Sequence, residues 1–156
     1  MALAGLSTLG ITFGYGVETT AGEKPSTFKQ LNRMNSIGGI SIEPETIDAS
    51  AIEDLVERTV AGRASTGGSF PVSVNFTQET LVEWQELIEA YKTAQANQKR
   101  MWFETIVPGL TDAFFCVAQP PQAIPQPEIG QNDLLTIELS LTIEDFKGLD
   151  TKVAFA

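Results

Sequence analysis

The sequence contains no histidine and only one cysteine, and these two scarcities exclude much of enzyme chemistry. Histidine is the side chain best suited to proton transfer near neutral pH and is the commonest metal ligand. Nucleophiles activated by histidine therefore cannot form within the chain. Cys116 has no partner for an intrachain disulfide, and its apolar neighbours in AFFCVA predict a buried structural thiol. We expect no enzymatic activity, no cofactor and no metal site.

Basic residues are also scarce: 10 lysines and arginines stand against 20 aspartates and glutamates, a net charge of −10. Proteins that bind nucleic acid by releasing its counterions need basic patches, so this balance argues against such binding. It leaves open a surface that DNA passes without sticking, because like charges repel. Acidity that serves only solubility is the simpler alternative.

Long apolar runs are missing as well. No run approaches the roughly 20 residues that span a bilayer, so we expect no membrane partner. The opening MALAGLSTLG lacks the basic and apolar regions of a signal peptide, which predicts synthesis in a host cytoplasm.

Apolar and polar residues alternate in three segments, which predicts three strands. The segments are residues 11–17 (ITFGYGV), 69–76 (SFPVSVNF) and 134–146 (LLTIELSLTIEDF). Gly14 and Gly16 lie on the opposite face from the apolar residues of the first segment. They would allow close approach of another backbone, and we expect that backbone to belong to a neighbouring subunit.

One helix is predicted after the second of these strands. Thr77 is a candidate N-cap, flanked by Phe76 and Leu81 as a hydrophobic staple. Beyond it, apolar residues recur at spacings of three and four and form one stripe: Leu81, Trp84, Leu87, Ile88 and Tyr91. Residues 99–107 and 113–118 then predict a β-hairpin around Pro108 and Gly109.

Six carboxylates are interleaved with isolated apolar residues over positions 37–62. Pro44 cannot donate a ladder hydrogen bond, so it predicts an edge or a bulge in an extended segment. Glu43, Glu45 and Asp48 could form a carboxylate pair or hold a hard cation, but they lack the spacing and glycine of an EF-hand loop. A solvated acidic edge is the preferred interpretation.

These elements predict one mainly β domain over residues 1–156: a β-sandwich or partly closed antiparallel barrel with one helix packed across it. Around it we expect an N-terminal arm over about residues 1–10, a long loop over about residues 50–69, and a short C-terminal tail over about residues 147–156.

The ordered set of motifs resembles the tail tube (major tail) proteins of long-tailed bacteriophages. It runs from ITFGYGV through the Phe28–Leu31 segment and IGGISIEPETID to a Gly/Ser-ended loop at residues 54–69. FPVSVNFTQETLVEWQELIEAY, a hairpin and IELSLTIEDF complete it. The resemblance covers nearly the whole chain, although each motif alone is weak.

The resemblance implies a tail-tube-like fold in a virion protein that forms hexameric rings. The rings stack around a tape-measure protein, end at tail terminator and tail-tip proteins, and later conduct DNA without binding it specifically. It implies inter-ring contacts by the loop, with Asp54, Glu57, Arg58 and Arg63 as candidates, and neighbour contacts by residues 2–9. From their place in the acidic segment, Glu43, Glu45 and Asp48 are candidate lumen residues.

Three alternatives stay open. The first is a tube subunit of a contractile tail or a tail-like particle. The second is a small acidic module that binds a basic protein. The third, an enzyme using Glu43, Glu45 and Asp48, is the weakest because histidine is absent.

Overall fold

A computed structural model describes residues 5–7, 9–65 and 68–155, and for Ser65 it describes the backbone alone. The expected N-terminal arm therefore lies partly outside the described residues. Nine strands and one helix occur in this part of the chain. They are β1 (Thr12–Val17), β2 (Lys29–Leu31), β3 (Met34–Ile37), β4 (Glu43–Asp48), β5 (Thr59–Ser65), β6 (Ser69–Asn75), α1 (Gln78–Ala96), β7 (Met101–Ile106), β8 (Asp112–Gln119) and β9 (Thr136–Thr151).

The three alternating segments form strands β1, β6 and β9, as predicted. Their apolar faces are buried together, because a sheet with one covered face places every second side chain in the core. Phe13 in β1, Val72 in β6 and Leu139 in β9 are each 1% exposed or less and belong to the same apolar cluster. Cys116 lies in this cluster, and burial raises the pKa of its thiol to about 12, so the thiol is structural as expected.

Seven strands form one antiparallel sheet in the order β2-β1-β7-β8-β9-β6-β3. β2 and β3 occupy its two opposite edges, although only Asn32 and Arg33 separate them in the chain. Three peptide units span at most about 11 Å, whereas the edges of a flat seven-stranded sheet would lie about 29 Å apart. The sheet must therefore curl until its edges nearly meet, which confirms the partly closed antiparallel barrel.

The helix α1 covers the seam between these two edges. Thr77 caps it as predicted: the Thr80 amide donates to the Thr77 hydroxyl (3.2 Å), and the Thr77 amide donates to the Thr80 hydroxyl (2.8 Å). Trp84 and Leu87 are buried against the core. On the flank of the helix, Glu83 accepts hydrogen bonds from the backbone and side-chain amides of Asn32. The helix thus holds the short link that closes the barrel.

A second apolar cluster lies on the outer face of the sheet. It contains Phe28, Trp102, Ala113, Phe115 and Val117 as buried residues. Partly buried side chains of the C-terminal segment, including Val153 and Phe155, pack against it. Both faces of β7 and β8 are therefore covered, which explains their nearly continuous burial.

The expected short tail over residues 147–156 is wrong in part. β9 continues to Thr151, and Phe155 then forms a parallel bridge with Phe28. After Lys147 the sequence no longer alternates apolar and polar residues, because this part of the chain does not pack on the inner core. It pairs with β8 and contacts the outer cluster instead.

The two glycines of β1 serve the fold rather than an external neighbour. A side chain at Gly14 would collide with the ring of Phe155 and with the Lys29 carbonyl, and one at Gly16 would meet the Thr27 carbonyl. The predicted close approach is real, but it is made by the same chain. This corrects the expectation that a neighbouring subunit fills the space.

Glu104 lies under the C-terminal segment, directly across the sheet from Gly14, and its side chain is fully buried. One carboxylate oxygen accepts a hydrogen bond from the Val153 amide (3.0 Å), and the other has no hydrogen-bond partner in the structure. Burial raises the pKa of Glu104, and the Val153 amide, Lys24 and Lys152 offset this only in part. Keeping the Glu104 carboxylate ionised in the folded protein therefore costs free energy.

A projecting arm as the candidate assembly site

Residues 41–65, called the arm below, form a separate β-hairpin between β3 and β6. β4 and β5 pair with each other in a two-stranded antiparallel sheet, with Asp48 opposite Thr59 and Glu43 opposite Ser65. Every residue of β4 is exposed. The register shifts between Pro44 and Thr46, which confirms the bulge predicted from the proline. The arm therefore contributes little to the core and is free to contact other molecules.

The loop expected over residues 50–69 is shorter in the structure. Thr59–Ser65 forms strand β5, while residues 66–67 lie outside the described residues. The glycines and serines of this segment favour a loop, but Thr59 and Val60 are strand formers, and Val60 pairs with Ile47. Pairing with β4 overrides the local composition.

The tip of the arm, residues 49–58, is held by its own polar groups. The Ser50 amide donates to the Asp48 carboxylate (2.9 Å), and the Ser50 hydroxyl accepts from the Arg58 amide (2.7 Å). Asp54 accepts from the Ala51 amide (2.8 Å) and lies 3.3 Å from the Arg58 guanidinium. These bonds fix the tip in one shape.

Apolar side chains point away from this polar frame. Ile52 and Leu55 are fully exposed and Val56 is 76% exposed. A surface loop ordinarily exposes its polar groups, whereas this tip uses them internally and presents three aliphatic side chains, which makes it a candidate contact surface. Ile52, Leu55 and Val56 were not among the site residues predicted from the sequence. The feature of the sequence that could have identified them is a group of apolar residues, with neither helix nor strand periodicity, inside an acidic turn.

The predicted site residues all lie on the arm, but they do not act alike. Glu43 and Glu45 are exposed on β4, and Glu57 and Arg63 are exposed near the tip and on β5. Asp48 instead shapes the tip, and the hydrogen bonds from Ser50 hold the pKa of its carboxyl below the usual value. Asp54 and Arg58 form an ion pair with each other. In the described part of the chain, no cluster of acidic side chains could hold a metal ion.

The arm is acidic, with six carboxylates and two guanidinium groups. A protein surface with this charge repels phosphates and other acidic surfaces over roughly one Debye length. A partner of the arm must therefore offer either basic groups or a surface without carboxylates.

An apolar cleft of about 600 Å³ opens at the base of the arm. The residues at the arm's base, 38–40, form one wall, and the barrel forms the other. None of the residues that line this cleft is acidic, and none is a lysine or arginine. Its apolar lining includes Phe13, Met34, Ile37, Ile40, Phe114 and Phe146.

The fold is similar to that of chains in two solved tail-like assemblies. One belongs to the cryo-EM structure of the anti-feeding prophage (AFP) baseplate, 6-fold symmetrised. The two chains share 12% sequence identity with a TM-score of 0.54, over 94% of this chain and 96% of that one. The other belongs to the tail of an empty GTA particle, computed with C6 symmetry: 14% identity, a TM-score of 0.53, 91% of this chain and 95% of that one.

No protein-family model and no curated protein matches the sequence. The likeness is therefore one of fold, and it joins a mainly antiparallel β domain with a single helix to components of tail-like particles. In the described residues no helix has the length and apolar character needed to cross a membrane.

Proposed function

We propose that this protein is a structural subunit that assembles into hexameric rings, which stack into a phage tail tube and conduct DNA during ejection. The observation that carries this proposal is the arm, which presents Ile52, Leu55 and Val56 to solvent on a tip shaped by its own polar groups. The fold it shares with chains from two six-fold symmetric tail-like assemblies supports the same conclusion.

Individual residues receive roles within this proposal. Glu43 and Glu45, exposed on β4, would face the lumen together with Asp48 and repel the phosphates of passing DNA. The tip, which includes Glu57, would contact an adjacent ring, with Arg63 beside it on β5 and with Asp54 and Arg58 setting its shape.

The partners of such a tube are a tape-measure protein, a tail terminator and tail-tip proteins, and its place is the tail of the virion. Residues 5–7 and 9 reach the end of the barrel at the β7–β8 turn, where the Leu6 side chain lies close to Gly109. Neighbour contacts by residues 2–9 therefore remain part of the proposal, although residues 2–4 and 8 lie outside the described residues.

A tube subunit of a contractile tail or of another tail-like particle is the second candidate. The similarity to a chain in the AFP baseplate favours it. The two candidates predict the same rings.

Negative-stain electron microscopy of the purified protein over a concentration series tests self-assembly. We expect rings or hollow tubes that become more frequent as concentration rises. A chain that stays monomeric in sedimentation at every concentration, with and without a tail-tip template, would contradict the tube and favour an acidic binding module.

The lumen assignment has its own test. Glu43→Lys combined with Glu45→Lys should preserve the tube and slow the passage of DNA, because phosphates would then adhere to the wall. Replacing exposed carboxylates of the helix, Glu79 and Glu89, by lysine is the charge-matched control. Equal ejection rates in the two variants would remove the lumen assignment.

A further inference from the structure

We propose that the apolar tip of the arm inserts into the cleft at the base of the arm of a second copy of this chain. The inference rests on the proposed self-assembly and names both surfaces of one contact. The donor surface is the group Ile52, Leu55 and Val56, and the acceptor is the 600 Å³ cleft lined by Ile37, Phe114 and Phe146 among others.

The two surfaces match in chemistry. The apolar side chains of the tip are aliphatic, and most of the cleft lining is aliphatic or aromatic apart from Asn35, Ser36 and Thr105, so their contact removes apolar area from water on both sides. The tip carries Glu53 and Glu57 beside its apolar residues, and a receptor with carboxylates would repel it. The cleft lining contains no carboxylate, in a chain with 20 acidic residues, so it can accept this tip.

The occupant must come from another molecule. The six residues of β4 extend for about 20 Å at the usual strand rise, and the tip lies beyond them. Because the hairpin is paired along this length, the tip cannot fold back to its own base. A second copy supplies the same tip without any further component.

The geometry of the contact determines the assembly. Tip and cleft are different surfaces of one molecule, so the contact is head-to-tail and leaves a free tip at one end and a free cleft at the other. A head-to-tail contact either closes into a ring or propagates, and the proposed contact propagates because it joins one ring to the next. One tip buries less area than a stable isolated interface needs, so several parallel contacts between rings would act together.

Two variants test the tip and the cleft separately. Ile52→Ser combined with Leu55→Ser removes the apolar tip at fully exposed positions and should leave the barrel intact. Gly39→Trp is designed to obstruct the cleft: it adds a large side chain at a residue of the cleft lining, where a Cβ would meet no atom within 4 Å. The matched controls are Ile129→Ser with Leu134→Ser in an exposed loop, and Gly39→Ala.

Each variant alone should fail to stack, whereas the controls should stack like the unaltered chain. In an equimolar mixture, the intact tips of the cleft variant should bind the intact clefts of the tip variant. Assembly should stop after this one layer of contacts, because the remaining tips and clefts are altered. In mass photometry the mixture should give a species of twice the mass of either variant alone. This doubling is not expected if tips contact tips.

The outcomes distinguish the two proposals. If the unaltered chain never associates, the tube proposal fails. If it forms tubes but the tip variant also stacks, or the mixture gives no doubled species while each variant keeps its folded circular-dichroism spectrum, the tube survives and the tip-to-cleft contact is wrong. A Phe114→Ser variant, at a half-exposed position of the cleft, repeats the test if Gly39→Trp does not fold.

Discussion

The barrel and the arm use the same kinds of strand-forming residue with opposite results. In β6 and the first half of β9, alternating apolar side chains lie in a closed core at 3% exposure or less: Phe70, Val72, Val74, Ile137, Leu139 and Leu141. In β4 and β5, Ile47 and Val60 are paired neighbours yet remain half exposed. The barrel is stabilised by contacts within its own chain, whereas the apolar surface of the arm is exposed to water. Under the proposed function, stability and assembly therefore depend on separate parts of the molecule.

The largest difference between the two regions should appear in stability. Leu139→Ala deletes a fully buried side chain of the core and should lower the free energy of unfolding by about 2–5 kcal/mol. Ile47→Ala removes a similar side chain from the arm and should change it by about 0.5 kcal/mol or less. Urea denaturation measures both, and equal losses would show that the arm packs on the barrel.

A smaller effect on the barrel should follow from filling the space at Gly14. In Gly14→Ala, the new methyl group would push the Phe155 ring and the Lys29 carbonyl away from residue 14. We expect the free energy of unfolding to fall by about 1–3 kcal/mol. Gly39→Ala, at an open position beside the arm, should be nearly neutral. If Gly14→Ala kept full stability in thermal denaturation but blocked assembly, the glycine would serve an interface between subunits after all.

The buried carboxylate under the C-terminal segment makes the stability of the barrel depend on pH. Because burial raises the pKa of Glu104 in the folded state, the protonated form is favoured there at low pH. The contribution of Glu104 to the free energy of unfolding is complete below the ordinary glutamate pKa of about 4.3. It is lost as pH rises through the raised pKa.

Glu104→Gln removes this dependence and keeps the size of the side chain. We expect the unaltered chain to lose stability relative to Glu104→Gln as pH increases from 4 toward neutral, and the difference to level off above the raised pKa. Glu138→Gln, at an exposed position on β9, corrects for the lost negative charge. If the stability of Glu104→Gln and that of the unaltered chain changed with pH in parallel, burial of the ionised Glu104 would not be destabilising.

The smallest effect should be confined to the tip of the arm. Ser50→Ala deletes the hydroxyl that accepts from the Arg58 amide, so that amide should exchange its hydrogen faster. The global melting temperature should stay within error, as it should for Ser140→Ala on the exposed face of β9. Exchange that is unchanged at Arg58 would show that the tip does not depend on this frame.

Much of the barrel could be predicted because its signals are local. The alternation around Phe13, Val72 and Leu139, the cap at Thr77 and the turn at Gly109 each depend on residues close together in the chain. The candidate site was only partly predictable. The acidic residues of the arm were found by composition, but the proposed assembly surface consists of Ile52, Leu55 and Val56, whose exposure no periodicity reveals.

The sequence by itself thus determined a mainly β domain with one helix, an acidic character and the absence of histidine chemistry, because these follow from composition and short-range pattern. The tertiary structure decided what depends on distant partners. Pairing with β4 makes residues 59–65 a strand, and the short link at Asn32 and Arg33 brings the sheet edges together. Phe155 lies over Gly14, and the cleft forms where the base of the arm meets the barrel. Each of these features joins segments far apart in the chain, and only the folded backbone brings them together.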